Sequence, residues 1–318
     1  MKLKYFPYFR GRQFELLAIR ELVARDLLVP AIIPVVEPVK LSSTLLTTFQ
    51  LYAEKKHEIA LVRNPEYGDV IPSMRGLSEE EKKDYRAAFQ SKNVLHAILQ
   101  NSNLVSVGKH FGKNIVEHPD HWIAVFRNPE YLEDSIRLAD DGIRFGVNLI
   151  PDSTPFRRGV KGSKVLFRDC FLRKTRNVDY SANPDELFSD DHTYAEEENY
   201  IGTGDYSIIG SEYSETGFAP YAVAIHVVYE DKNKSGTLRV RHFVSDSNDG
   251  YDDPAGKFKE AAEKMSAWVK SSHVLETYGL RALINAYDSD SYPGLGSIKK
   301  FSIMHHLELM GQILSREG

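Results

Sequence analysis

Six apolar runs in this chain stop on side chains that can bind or move charge. Glu37 ends residues 32–36, Arg63 and Asn64 end 59–62, Gln100 and Asn101 end 94–99, and Arg127 and Asn128 end 123–126. Asn148 and Asp152 bracket the end of 143–150, and Arg168 with Asp169 ends 164–167. Guanidinium groups hold phosphate and carboxylate in a two-point fork. Arg63, Arg127 and Arg168 converging on one face would therefore form a collar for a small anionic or phosphorylated molecule, with Lys40, Asn64, Asn128 and Asn148 beside them. Glu37, framed by Pro34 and Pro38, would act as a general acid or base if buried; Asp169 and His226 are the other groups placed for proton transfer. The structural alternatives stay open: Glu37 paired with Lys40 or a nearby arginine, Asp169 paired with Arg168, and His226 a buried ring bonded to a neighbour. Asp169, Asp205 and His226 would together suit a divalent metal, but their spacing is not diagnostic, and the cofactor is left open.

The elements that must position these groups alternate. Ile59-Ala-Leu-Val-Arg-Asn-Pro-Glu-Tyr67 returns almost unchanged as Ile123-Ala-Val-Phe-Arg-Asn-Pro-Glu-Tyr131, a strand with a polar end repeated two strand–helix units later. Strand-like runs at 32–37, 59–64, 94–100, 122–128, 143–150, 164–169, 205–211 and 221–229, with helical stretches between most of them, predict a TIM-like (β/α)8 barrel in a single α/β domain over 1–318. In such a barrel the working groups lie at the carboxyl ends of the strands. Residues two apart share a strand face, so Arg144, Gly146 and Asn148, and likewise Ala222, Ala224 and His226, are expected to point into the lumen.

A helix over 12–25 is expected before the first strand, as a plug for the barrel floor, and Ser78-Glu-Glu-Glu81 is a capping box that opens another helix. Residues 171–204, basic and then acidic with few apolar positions, read as a long insert, and 221–245 as an added β-hairpin turning through Asp231–Gly236. Helices over 254–271, 275–287 and 302–316 close the chain. The last opens at Ser302-Ile-Met-His-His-Leu-Glu308, which would bring His305 or His306 to the mouth or offer the helix start to an anion.

Composition narrows the classes. A net charge of −5 gives no reason to expect nucleic acid as a partner, and no run of about 18 apolar residues suggests a membrane span. The single cysteine excludes an internal disulfide, and a signal-peptide core is missing from Met1–Arg12, so a cytoplasmic protein is expected. The loop Asp246–Gly250 fails as a calcium site, because counting from its glycine puts Gly256 where a bidentate Glu is required. Gly202-Thr-Gly204 lacks the third glycine of a dinucleotide loop, and neither a Gly-Lys-Ser/Thr loop nor a Gly-x-Ser-x-Gly elbow occurs.

Tyr5-Phe-Pro-Tyr-Phe-Arg-Gly-Arg-Gln-Phe14, Pro34-Val-Val-Glu-Pro38, His242-Phe-Val-Ser-Asp246 and Ser302-Ile-Met-His-His306 resemble the beta family of uncharacterised bacterial and phage proteins, most of all a locus-tag-named bacterial branch of it. The resemblance implies a barrel-like fold, a cytoplasmic protein of phage-related gene neighbourhoods and a companion protein encoded alongside; it supplies no reaction. It marks Glu37, Asp246, His305 and His306 as family positions. Two functions follow as expectations: an enzyme acting on a small anionic ligand at the mouth, or a non-catalytic binding and assembly component of a bacterial defence system.

Overall fold

The computed structural model describes residues 3–214, 220–231 and 236–316. Its strands are β1 (Lys4–Tyr5), β2 (Tyr8–Phe9), β3 (Val35–Val36), β4 (Ile59–Val62), β5 (Val94–Leu99), β6 (Trp122–Val125), β7 (Val147–Ile150), β8 (Ser163–Phe167), β9 (Asp185–Ser189), β10 (Gly202–Gly204), β11 (Ala224–Asp231) and β12 (Thr237–Val244). Its helices are α1 (Gln13–Ala24), α2 (Ser43–Lys55), α3 (Val70–Arg75), α4 (Glu79–Phe89), α5 (Leu104–Glu117), α6 (Leu132–Asp140), α7 (Thr154–Gly159), α8 (Pro254–Ser271), α9 (Tyr278–Asp288) and α10 (Leu295–Arg316). The chain forms two compact units, one of Met1–Arg168 with Tyr194–Asp205 and the other of Asp169–Thr193 with Tyr206–Gly318.

The first unit is a curled, TIM-like parallel sheet flanked by helices. Nine segments pair in the order β1-β10-β8-β7-β6-β5-β4-β3-β2. Residues 4–9 are bonded along both edges. The amides of Lys4, Phe6 and Tyr8 donate to the carbonyls of Ile201, Thr203 and Asp205, while Tyr5 donates to Ala31 and receives Ile33. Pro7 has no N–H to continue that second ladder, which splits the segment into β1 and β2; its carbonyl still accepts from Val35.

Six of the eight expected strands coincide with β3 to β8. The other two do not: 205–211 contains a 3-10 turn at Ser207–Ile209, and 221–229 belongs to β11 in the second unit. Their sheet positions are taken by 4–9 and by Gly202–Gly204, one interrupted by proline and the other too poor in β-formers to signal a strand. Consequently α1 follows a strand and packs on α2 as a crossover helix; it does not plug a barrel floor ahead of the first strand.

The second unit holds the three-stranded antiparallel sheet β11-β12-β9 and the last three helices. The hairpin is present as β11 and β12, with Ala224 opposite Val244 and Asp231 opposite Thr237. Residues 232–235 of its expected turn lie outside the described residues. The expected insert is ordered structure: a 3-10 segment at Asn177–Ala182, then β9 pairing with β12, then β10 in the sheet of the first unit. Val223, Ile225, Val227 and Phe243 pack with Phe258, Met265, Leu280 and Leu283 as the core of this unit. Among the described residues no helix is long and apolar enough to cross a membrane.

The capping box is realised at the start of α4, where Ser78 Oγ accepts from Glu81 N at 3.2 Å and Glu81 Oε2 accepts from Ser78 N at 2.8 Å. Ser78→Ala is expected to lower unfolding free energy by about 1 kcal/mol in urea titrations, the usual worth of an N-cap.

Candidate functional site

Register fixes which strand residues share a face. Tyr8, Val35, Ala60 and Leu95 are lateral neighbours, and on the opposite face so are Leu61, His96 and Trp122. The second set faces the helices: the His96 and Trp122 rings are 4.8 Å apart, and Phe111 of α5 lies 5.1 Å from Trp122. Glu37, two residues beyond Val35, therefore belongs with Tyr8 on the inner face, at the carboxyl end of β3.

Glu37 is fully buried, and every bond it accepts can be traced to a local cause. Tyr8 Oη donates to its Oε2 at 2.8 Å, Arg10 pairs with the same oxygen, and the amide of Glu66 donates to Oε1 at 2.7 Å. Arg10 is presented by Gly11, whose φ of +63° turns the chain into α1 against the backbone of Glu37 and Pro38 and the side chain of Val36, and by Glu15, whose carboxylate accepts from Arg10 N at 2.9 Å. Glu66 is brought close by Gly68, where φ is +84° and a Cβ would meet Val39 O at 2.0 Å. The Arg10 guanidinium also lies over Tyr8 and Tyr67, 5.5 and 4.8 Å from the ring centroids. The cation opposite Glu37 is thus Arg10, which the sequence pattern did not single out, and not Lys40, which stands exposed.

The expected arginine collar does not assemble. Arg63 has the outward parity of Leu61 and lies over Phe111 of α5, 5.5 Å from the ring centroid; burial lowers its basicity. Desolvation, then the charge of Arg63 and that of His121, push His96 down to about 4. Arg127 is paired with Glu66, and Arg168, partly buried, donates its amide to Gly204 O at 3.2 Å. Asn64 bridges strand ends, donating to Leu99 O at 2.9 Å and accepting from Leu99 N at 2.8 Å. Asn128 is exposed and caps the turn Pro129–Tyr131. Asn148 points away from the lumen: it registers with Ala124 and Lys164, and donates to the carbonyls of Phe145, Lys161 and Ser163 beside α6 and α7. Asp152 is bridged to Arg157.

The remaining expected residues lie outside this sheet. Asp169 is a loop brace in the second unit, accepting from Phe171 N at 3.1 Å and Ser211 N at 2.7 Å. Asp205, in the first unit, accepts from Tyr5 Oη at 2.7 Å. Among the described residues no three His, Cys, Asp or Glu side chains form a group that could hold a metal ion, so the expected trio Asp169, Asp205 and His226 is not brought together. Comparison with family models, with curated proteins and with solved structures returned no match. The chemistry has to be read from the residues themselves.

In the second unit Asp246 makes an exposed bridge to Lys264 at 2.7 Å. His305 and His306 are fully buried in the middle of α10, not at its start. His305 Nε2 donates to Val228 O at 2.6 Å, and its Nδ1 is 2.8 Å from Thr277 Oγ1, which caps α9; His306 Nδ1 is 2.9 Å from Ser207 Oγ. Burial drives His305 down to about 4, and burial with the charge of His305 drives His306 down to about 3. These are core residues holding β11, α9 and α10 together.

His226 and His242 face each other across β11 and β12, with their Nδ1 atoms 2.8 Å apart. Phe171 and Tyr180 enclose the pair, the Tyr180 ring lying 4.7 Å from His226 and 4.6 Å from His242. Behind His242, Nε2 stands 3.8 Å from Glu186 Oε2, and the other oxygen of Glu186 is held by Lys174 at 3.0 Å and Asn183 at 2.9 Å. Burial keeps both rings neutral, pushing His242 to about 4 and His226 well below its ordinary value. The signal for this pair was within reach, since residues 226 and 242 are alternating positions of the two hairpin strands.

Proposed function

We propose that the curled sheet of the first unit closes as an eight-stranded TIM-like barrel, with residues 4–9 as one strand, and that its carboxyl rim binds a small anionic molecule without acid–base catalysis by Glu37. What supports closure is the bonding of residues 4–9 along both edges. What supports binding over catalysis is one observation: Glu37 is fully buried against Arg10, Tyr8 and the Glu66 amide, so its carboxylate is committed to the scaffold. Arg127 differs. Its bridge to Glu66 joins side chains that are 22% and 43% exposed, a class of pair worth about 0–1 kcal/mol, and a phosphate or carboxylate offering two oxygens can take the guanidinium from Glu66.

A thermal-shift series with inorganic phosphate, sugar phosphates, nucleotides and small carboxylates tests this reading. A ligand at about 100 times its Kd adds roughly 2.7 kcal/mol. The expected result is a stabilising anion whose shift disappears in Arg127→Ala and grows in Glu66→Ala. A shift retained in Arg127→Ala, or no shift with any anion, overturns it. A second reading, an assembly component that holds a companion protein, draws on Leu172 and Leu187, which are 57% and 54% exposed in the second unit, on the expected insert.

A further inference from the structure

Glu186 and His242 present an uncommon situation: both side chains are buried, and the atoms they turn toward each other, Oε2 and Nε2, have no hydrogen-bond partner among the described residues. Buried polar atoms left this way mark a place where a proton is exchanged or a role is unfilled. On the far side of His242 the two Nδ1 atoms at 2.8 Å admit one proton between them, so one ring must donate and the other accept. If His242 carries its proton on Nε2, toward Glu186, its Nδ1 accepts, His226 donates from Nδ1, and Nε2 of His226 is left as a lone pair. His226 is partly exposed, and that nitrogen has no partner among the described residues.

We propose that Glu186, His242 and His226 form a proton-transfer chain in the second unit, with Nε2 of His226 as the proton acceptor for the hydroxyl of a bound small molecule or for water. The step balances without a charged imidazole. The ligand O–H proton moves to Nε2 of His226; the Nδ1 proton of His226 passes to Nδ1 of His242; and the Nε2 proton of His242 passes to Oε2 of Glu186 once these two atoms, 3.8 Å apart in this structure, draw into hydrogen-bond reach. The ligand becomes an oxyanion, Glu186 becomes a neutral acid, and both rings end in the opposite neutral tautomer. Burial disfavours an imidazolium at either ring, and this route never forms one. Lys174, on the other oxygen of Glu186, stabilises the carboxylate and so limits how readily the chain takes a proton. His226 is the catalytic residue of this chain, and His242 and Glu186 are positioning residues that act through it. The chain is independent of the rim of the first unit.

Two measurements on the full chain test it. Long-range proton–nitrogen NMR at pH 7 should find His226 protonated on Nδ1 and His242 on Nε2; the reverse tautomers, with Nε2 of His226 protonated, overturn the proposal. Carbethoxylation by diethyl pyrocarbonate, mapped by mass spectrometry, should modify His226 at least tenfold faster than the buried His305 and His306. Glu186→Gln should slow that rate at least fivefold with the thermal midpoint within a few degrees of the parent; Lys174→Met, which leaves the buried Glu186 without its cation and so lowers the midpoint, should raise the rate in the folded protein. A His226 rate unchanged in Glu186→Gln, or no modification of His226, assigns the pair a packing role and overturns the chain.

Discussion

Glu37→Ala should be the most damaging single substitution in the first unit, lowering unfolding free energy by about 3–5 kcal/mol, because it leaves the Arg10 guanidinium buried without its counter-charge. Domains of this kind are stable by about 5–15 kcal/mol in total, so the variant should unfold at markedly lower urea concentration with an unchanged slope. The loss is not the worth of the ion pair. Removing both charges by Arg10→Met with Glu37→Leu should recover a large part of it, since apolar groups of similar volume replace a buried pair at little net change. Glu37→Gln removes the countercharge but not the shape: its single amide oxygen can accept from Tyr8 or from the Glu66 amide, not from both, and the variant should fall between the two. A loss below about 1 kcal/mol for Glu37→Ala would mean that water reaches the pair, and would return Glu37 to consideration as an acid or base at the rim.

The same carboxylate illustrates what was legible in the sequence. Its place at the end of an apolar run, between two prolines, was readable, because period-two burial and strand termination are local properties. Its partner was not, because Arg10 follows Tyr5-Phe-Pro-Tyr-Phe9, where proline hides the strand, and the two meet only through parallel pairing of segments distant in the chain. Parity misled at Asn148. Arg144, Gly146 and Asn148 do alternate with apolar residues, but in a sheet buried on both faces the polar side can be the one under the helices. Asn148 uses that position to tie three carbonyls, and the same logic carries Arg63 outward onto Phe111. The adjacent histidines were visible as a pair, yet the helix start was misplaced: α10 begins at Leu295, so His305 and His306 fall mid-helix and enter the core.

That burial makes the protein sensitive to mild acid. A histidine ionises near 6.5 in an unfolded chain, whereas His305 is driven to about 4 and His306 to about 3 in the fold. Below pH 6.5 the unfolded chain therefore binds protons that the folded one does not, and stability falls with pH until the folded values are reached. The contribution is complete above about pH 7 and lost progressively from 6.5 down to about 4 for His305 and about 3 for His306. For His305 alone the loss approaches about 3 kcal/mol at pH 4, since each tenfold weakening of proton affinity on folding is worth about 1.36 kcal/mol. His96 and His242, each held to about 4, add to it in the same direction. Glu308 acts in the opposite sense: burial raises it while it caps α9 through the amides of Tyr278 and Gly279, so its protonation in the fold recovers some stability as pH falls. Urea titrations at pH 7.5, 6 and 5 should show a steepening decline, and His305→Gln, although less stable at pH 7.5, should flatten it by close to one proton. An equal slope in that variant would mean that His305 already exchanges protons with solvent, and that its bonds to Thr277 and Val228 do not hold it neutral in the interior.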